Sequence, residues 1–234
     1  LSRKYQTLKT EGNFNNELGL PITIFRLRSN HELAVLEMGI SNFGEMHRLA
    51  KVARPNTVIM TNIGCCHLEN LIDRDGILKA KSEVFDFIQP DAHIIINGDD
   101  DKLATITDVK GIKPITFGLT PQCDFYATAL QSRGLKGTSC LFHTPAGEFS
   151  AVVGMPGKHM VYNALAGAAA GWVHGLSIEQ IKAGIEANGT LAGRFHIIDT
   201  PRCTIIDDCY NANPVSMKAS LEVLQDGIGR KVAI

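Results

Sequence analysis

Five residues at four places pair a chemically useful side chain with the end of a strand-like run or with the helix that follows one. Glu37 closes "LAVLEMG", His67 comes three residues after "TVIMTNIG", and Asp207 and Asp208 close "CTIIDD". Lys81 lies in a helical pattern downstream of His67. Carboxylates and imidazoles bind metals or move protons. In open α/β sheets, ligands bind beyond the carboxyl ends of the strands. One strand-end acid is often only a helix cap or an ion-pair partner. Four such positions from successive units, all expected at one edge, point to a site.

Lys81 raises its own question. In the pattern Gly76–Gln89, apolar residues recur at Ile77, Leu78, Val84, Phe85 and Ile88, one face of a helix at 3.6-residue spacing. Lys79, Ser82, Glu83 and Asp86 fall on the opposite, solvent-facing side. Lys81 stands within the apolar stripe. Either its methylenes lie on apolar neighbours while its ammonium reaches water, or burial makes it surrender its proton, leaving a nucleophilic amine.

The elements that must hold these residues follow from the apolar patterning. Strand-like runs occur at Glu32–Met38, Asn56–Asn62, Ala92–Asn97 and Lys113–Phe117, with helical patterns at Gly44–Ala53, Gly76–Gln89 and Asp101–Asp108. This alternation predicts an α/β fold, a parallel sheet flanked by helices. Shorter alternating runs at Phe125–Ser132, Gly137–His143 and Glu148–Val153 predict a small antiparallel sheet. Helices return at Lys158–Val173 and, after a Ser177 cap with Gln180 at its third position, at Ile178–Ala187. Small residues in "NGTLAGRFH" (188–196) mark a boundary, giving a unit over 1–190 and the beginning of another over 191–234. The second unit holds strands at Phe195–Asp199 and Cys203–Asp207 and a helix from Pro214 to about Leu224.

Composition narrows the function classes. The 234 residues are 44% hydrophobic and 20% charged, with a formal net charge of −1, which suits a globular protein and argues against a nucleic-acid surface or a basic membrane patch. No apolar run reaches the length of a membrane span. The six cysteines form neither a disulfide framework nor paired zinc spacing, so a cytoplasmic protein with free thiols is expected. The opening "LSRKY" resembles the tail of a helix and the closing "KVAI" the start of a buried strand, so a piece of a longer protein is expected. "GMPGKHM" (154–160) is no phosphate loop, because its spacing is short and His159 replaces the hydroxyl residue.

Several longer segments together resemble the Mur ligases of peptidoglycan synthesis. "TEGNFNNELGLP" (10–21) is similar to their TxGNxNNxxGxP segment, and "EMGISNFGEM" (37–46) and "TNIGCCHLE" (61–69) to the metal motifs of the central domain. "AKSEVF" (80–85) resembles the modified-lysine motif and "MPGKHMVYNALAGAAA" (155–170) the PGxHNxxNALAA helix. "DDCYNANPVSM" (207–217) is similar to DDxYNANPxSM, the form found in the member that joins D-alanyl-D-alanine to UDP-N-acetylmuramoyl-tripeptide. The implied fold is the central ATPase domain of a Mur ligase followed by the start of a Rossmann-like C-terminal domain.

The resemblance implies a role for each matching residue. Lys81 would be carbamylated, its amine taking up CO₂ to become an anion, and would ligate Mg²⁺ together with Glu37 and His67. Mn²⁺ would substitute readily, since imidazole is softer than Mg²⁺ prefers. Asn163 would hydrogen-bond adenine, Arg194 reach the ATP phosphates, and Asp208 bind the ribose. Tyr210, Asn211 and Asn213 would line the cleft closed by the C-terminal domain. Asn13, Asn15 and Asn16 would order the loop that receives the UDP-sugar peptide. Two positions depart from the family pattern: Met160 replaces an asparagine and Cys209 a serine.

The implied reaction is ATP-driven amide formation through an acyl phosphate, carried out by a monomer. The family's phosphate loop would precede Leu1, so the 234 residues by themselves are expected to have little activity. Two other readings stand beside this one. One is another ligase of the superfamily, like a folylpolyglutamate or cyanophycin synthetase; the other is a non-catalytic nucleotide-binding domain.

Overall fold

The computed structural model describes residues 1–189 and 193–234. The expected boundary between 190 and 191 lies outside the described residues. A short parallel pair opens the chain: β1 (Thr7–Lys9) and β2 (Leu33–Val35), with Thr7 opposite Leu33 and α1 (Gly19–Ile24) between them. The longer strand expected over Glu32–Met38 stops at Val35 because its next polar groups turn to loop partners. The Glu37 N–H donates to Thr10 Oγ1 and the Gly39 N–H to the Asn15 carbonyl.

Next come α2 (Glu45–Ala53), β3 (Thr57–Met60), α3 (Leu68–Leu71) and α4 (Arg74–Ser82). Asp73 caps α4, accepting from the Gly76 N–H at 2.7 Å. The helix expected through Gln89 tightens after Ser82 into a 3₁₀ turn, Glu83–Phe87. Glu83, expected on the solvent side, instead accepts from the Gly44 and His47 N–H groups at 2.9 and 3.2 Å, capping the start of α2. Its charge meets the positive end of that helix.

The remaining strands of the sheet are β4 (His93–Asn97), β5 (Ile115–Gly118), β6 (Phe125–Ser132), β7 (Thr138–Thr144) and β8 (Gly147–Val153). The helix expected at Asp101–Asp108 is only a 3₁₀ turn, Leu103–Thr105. Asp100 accepts from the N–H groups of Lys102 and Leu103, and Val109 then bridges to Ile112, which draws the chain into a turn before a second α-helical turn can form.

Strands β3 to β8 form one six-stranded sheet in chain order, parallel through β6 and antiparallel beyond. The expected antiparallel strands are present and continue the parallel ones. Because β5 and β6 share only Phe117↔Phe125 and Gly118↔Tyr126, residues 119–124 suffice to join two strands running the same way. On the outer face of the antiparallel strands, His143 bonds Thr128 Oγ1 through Nε2 and Glu148 through Nδ1, both at 2.8 Å, linking β6, β7 and β8.

Strand β4 shows how the core is divided. Ile95 belongs to one apolar cluster with Phe117, Phe125 and Phe142, while Ile94 and Ile96 belong to another with Leu49 and Ile77. Alternate side chains of one strand thus enter two cores, the signature of a parallel sheet covered on both faces. The first core is closed by α5 (Lys158–Val173), through Val161, Leu165 and Ala169, and by α6 (Ile178–Glu186). The expected Ser177–Gln180 capping box starts α6.

Strands β9 (His196–Asp199) and β10 (Thr204–Asp207) form an antiparallel pair, followed by α7 (Pro214–Gln225). Pro214 occupies the first turn of α7, where a missing N–H costs nothing.

Candidate active site

The loop after β3 is held residue by residue. The Asn97 amide donates to the Thr61 carbonyl at 3.0 Å and Lys81 Nζ to the Asn62 carbonyl at 3.1 Å. Asp100 then accepts from the Ile63 N–H at 2.8 Å, and Arg74 donates to the Ile63 carbonyl at 3.0 Å. The loop ends at His67, whose φ of 60° is left-handed, and α3 begins at the next residue.

Burial lowers the pKa of Lys81, against the pull of the Cys66 thiol and the Asp100 carboxylate. The side chain is partly buried and its nitrogen bonds a backbone carbonyl, so it does not simply trail into water. A lysine less costly to deprotonate is what addition of CO₂ requires.

On the neighbouring edge, Asn15 donates to Glu37 at 3.0 Å. Asn15, Asn16, Glu17, Ser41, Glu45 and His67 line a cleft of about 500 Å³. The cleft therefore joins the asparagine loop to His67, and Asn15 links it to Glu37. Lys81 is not part of its wall. Asn16 accepts from the N–H groups of Leu18 and Gly19, so its oxygen shapes the start of α1, and Asn13 is exposed in the same loop.

Asn163 lies on α5, where its amide approaches Met160 Sδ at 3.5 Å, the contact left where the family pattern has asparagine in place of Met160. Both residues border a second groove of about 410 Å³ between α5 and α6. A methyl group added at Gly167 in this groove would touch nothing within 4 Å.

The C-terminal residues gather around the segment 193–195. The Gly193 N–H donates to Asp207, the Phe195 N–H to Asp208, and the Tyr210 N–H to the Gly193 carbonyl at 3.0 Å. Arg194 is thereby placed over the Tyr210 ring, 4.2 Å from its centroid. The Cys209 thiol and, further, the Gly193 N–H hold the Asp207 carboxyl below its usual range, although burial opposes this. Asp208 also accepts from the Ser220 hydroxyl, so each of its oxygens already has one partner. Asn213 accepts from the N–H groups of Val215 and Ser216 as the cap of α7, and Asn211 accepts from the Ala212 N–H. His159 packs near Phe195, so this unit rests against the start of α5; burial lowers the His159 pKa and outweighs the opposite pull of the Asp208 and Glu222 charges.

Glu37 and His67 are oxygen and nitrogen donors of the type a divalent cation takes, and they lie at the same cleft, His67 in its wall and Glu37 through Asn15. Among the described residues, no three His, Cys, Asp or Glu side chains are grouped to hold a metal. Glu37 and His67 would therefore need a further anionic ligand, and a carbamate at Lys81 is one with two hard oxygens.

Sequence reasoning missed Asp99, Asp100, Arg74 and Tyr162. The signal is "NGDD" (97–100), a polar cluster directly after a buried strand, between the expected strand Ala92–Asn97 and the expected helix Asp101–Asp108. Asp99 accepts from Thr120 Oγ1 at 2.5 Å, the Leu119 N–H at 2.6 Å and the Tyr162 hydroxyl at 2.9 Å, tying β4 to β5 and α5.

Residues 1–171 match the Mur ligase middle domain, and the chain belongs to that family. Within it, the UDP-N-acetylmuramoyl-tripeptide--D-alanyl-D-alanine ligase of Bacillus subtilis (strain 168) is 35% identical over 237 residues, covering 100% of this chain and 50% of that protein. The crystal structure of MurF from Acinetobacter baumannii superposes with a TM-score of 0.93 at 36% identity, over 99% of this chain and 51% of that one. MurF ligase from Thermotoga maritima, in complex with ADP, gives 0.86 at 27% identity, over 98% and 53%. The chain spans about half the length of the relatives it matches.

Proposed function

We propose that this chain is the nucleotide- and metal-binding half of a ligase that adds D-alanyl-D-alanine to UDP-N-acetylmuramoyl-tripeptide. One observation carries the reading: a match along the whole chain to a relative named for this ligation. Residues 1–190 form its central domain and 191–234 the start of its C-terminal domain. It acts in the cytoplasm as a monomer; no helix among the described residues is long and apolar enough to cross a membrane. The 234 residues alone turn over little, since they make up half of such an enzyme.

When bound, ATP with Mg²⁺ (or Mn²⁺) supplies the phosphoryl group that activates the tripeptide carboxylate and the positive charge that offsets the phosphates. Glu37, His67 and a carbamylated Lys81 would hold the cation. Asn163 pairs with adenine, and the Arg194 guanidinium, kept flat by Tyr210, pairs with phosphate oxygens. Asp208 accepts from the ribose through lone pairs left over from Phe195 and Ser220. Asn13, Asn15 and Asn16 orient the UDP-sugar peptide. Tyr210, Asn211 and Asn213 close over the carbonyl and keep water from the acyl phosphate before the D-alanyl-D-alanine amine attacks it.

The test is product formation by these residues together with the sequence that flanks them in the source protein. UDP-N-acetylmuramoyl-tripeptide, D-alanyl-D-alanine and Mg-ATP should give the pentapeptide product, seen by mass, with one phosphate released per bond. Incorporation of glutamate or aspartate instead would favour another ligase of the superfamily. Nucleotide binding without turnover would favour a non-catalytic domain.

A further inference from the structure

We infer that Asp100 and Arg74 are positioning residues: they grip both backbone polar groups of Ile63 and so set where the neighbouring loop presents His67 and receives Lys81. The inference rests on the metal-site reading above and adds to it two residues from other elements. Asp100 follows β4 and Arg74 is the first residue of α4.

The geometry is specific. Asp100 Oδ2 accepts from the Ile63 N–H at 2.8 Å, while its Oδ1 accepts from the Lys102 and Leu103 N–H groups, each at 3.0 Å. The Asp100 side chain is only 8% exposed, and its carboxylate can accept all three bonds at once. Arg74 Nε donates to the Ile63 carbonyl at 3.0 Å, while its other two nitrogens clasp Asp101 at 2.9 and 2.5 Å. Arg74 also lies 3.9 Å from Asp100, so one guanidinium closes the arrangement from the opposite side. Ile63 itself is buried, 2% exposed, which fixes its side chain as well as its backbone.

The residues flanking Ile63 are the ones that matter for the site. Asn62 offers its carbonyl to Lys81, and the loop beyond Ile63 runs on to His67. Groups that orient metal ligands without touching the metal commonly change metal affinity 10- to 100-fold when removed. A single backbone residue held on both sides fulfils that role for two ligands together.

Asp100→Asn is the sharper variant. If its oxygen keeps the bonds to Lys102 and Leu103, its NH₂ faces the Ile63 N–H, donor against donor, with almost no change in shape. Arg74→Lys loses the flat fork that reaches Ile63 and Asp101 together. Asp101→Asn is the control, since Asp101 touches Arg74 but not Ile63. Mn²⁺ binding to the intact protein, followed by electron paramagnetic resonance, should weaken roughly 10- to 100-fold in the first two variants and hold in the control. Melting temperatures measured alongside show whether the variants remain folded. Folded Asp100→Asn and Arg74→Lys proteins that bind Mn²⁺ like the parent would overturn the inference. No Mn²⁺ binding by the parent would overturn the metal-site reading itself, and the positioning role with it.

Discussion

The Lys81 nitrogen donates to the Asn62 carbonyl over 3.1 Å, tying helix α4 to the loop that ends at His67. A lysine in that position contributes little to the fold, because burial penalises its charge. Lys81→Met keeps most of the stem and removes the nitrogen. Ligase activity should fall by on the order of 10²-fold or more, while the melting temperature stays level or rises. A folded Lys81→Met protein with parental turnover would remove the lysine from the site.

The Arg194–Tyr210 stack gives a graded test. Tyr210→Phe keeps the ring face and should leave the KM for ATP near its parental value. Tyr210→Leu removes the π surface and should raise that KM by roughly 2- to 5-fold, the worth of an exposed cation–π contact. Equal effects of the two substitutions would mean that the hydroxyl, not the ring, matters.

Asp99 makes a pH-dependent prediction. Burial opposes its charge, but the bonds from Thr120, Leu119 and Tyr162 outweigh it and hold the carboxyl below its usual range. Burial and, after it, the same contact push Tyr162 up to about 12. A depressed carboxyl stabilises the fold above the ordinary aspartate range near ~4, and that contribution fades as the pH falls through the folded-state value. Tyr162→Phe should therefore cost roughly 1–2 kcal/mol at neutral pH and much less in acid, read from denaturant midpoints. An equal cost at both pH values would contradict this account.

Ile72 carries the opposite kind of prediction, a stabilising glycine. Its φ of 73° and ψ of −63°, with the Asp73 N–H bonded to the Leu71 carbonyl at 2.8 Å, form a tight three-residue turn that a β-branched residue rarely adopts. The side chain is 78% exposed, so replacing it forfeits little burial. Ile72→Gly relieves strain of about 1–3 kcal/mol against an entropic cost of about 1 kcal/mol. The melting temperature should rise by roughly 2–4 °C, and Ile72→Val should give no gain.

The sheet and its covering helices were legible because period-2 and period-3.6 patterns are local. Helix Lys158–Val173 and strand Phe125–Ser132 came out with their bounds unchanged for that reason. The expected single strand edge is not what forms. Asp207 ends β10, but Glu37 lies two residues past β2 and His67 seven past β3, and these strands belong to three separate sheets. The failures have two causes: partners distant in sequence, and local side-chain or turn bonds that compete with the helical pattern. Glu83 looked solvent-facing on its own helix, and only the fold brings the start of α2 to it. Asp101–Asp108 had a helical pattern, but Asp100 and the Val109–Ile112 bridge claim its backbone. The grip on Ile63 joins residues 63, 74 and 100, which no single window contains. The resemblance gives Asn213 a place in the cleft, whereas the structure shows it as the cap of α7.

The join between parallel and antiparallel strands bears on how the chain reaches this fold. Strands β6, β7 and β8 need only residues 133–137 and 145–146 to pair, whereas β3 meets β4 only after residues 61–92 have found their places. Short loops close at little entropic cost, so the meander is expected to form early and serve as the template onto which β5, β4 and β3 are added. Truncating Phe142 should then slow refolding, while truncating Ile94 should mainly speed unfolding, a contrast that stopped-flow kinetics on the two variants would reveal.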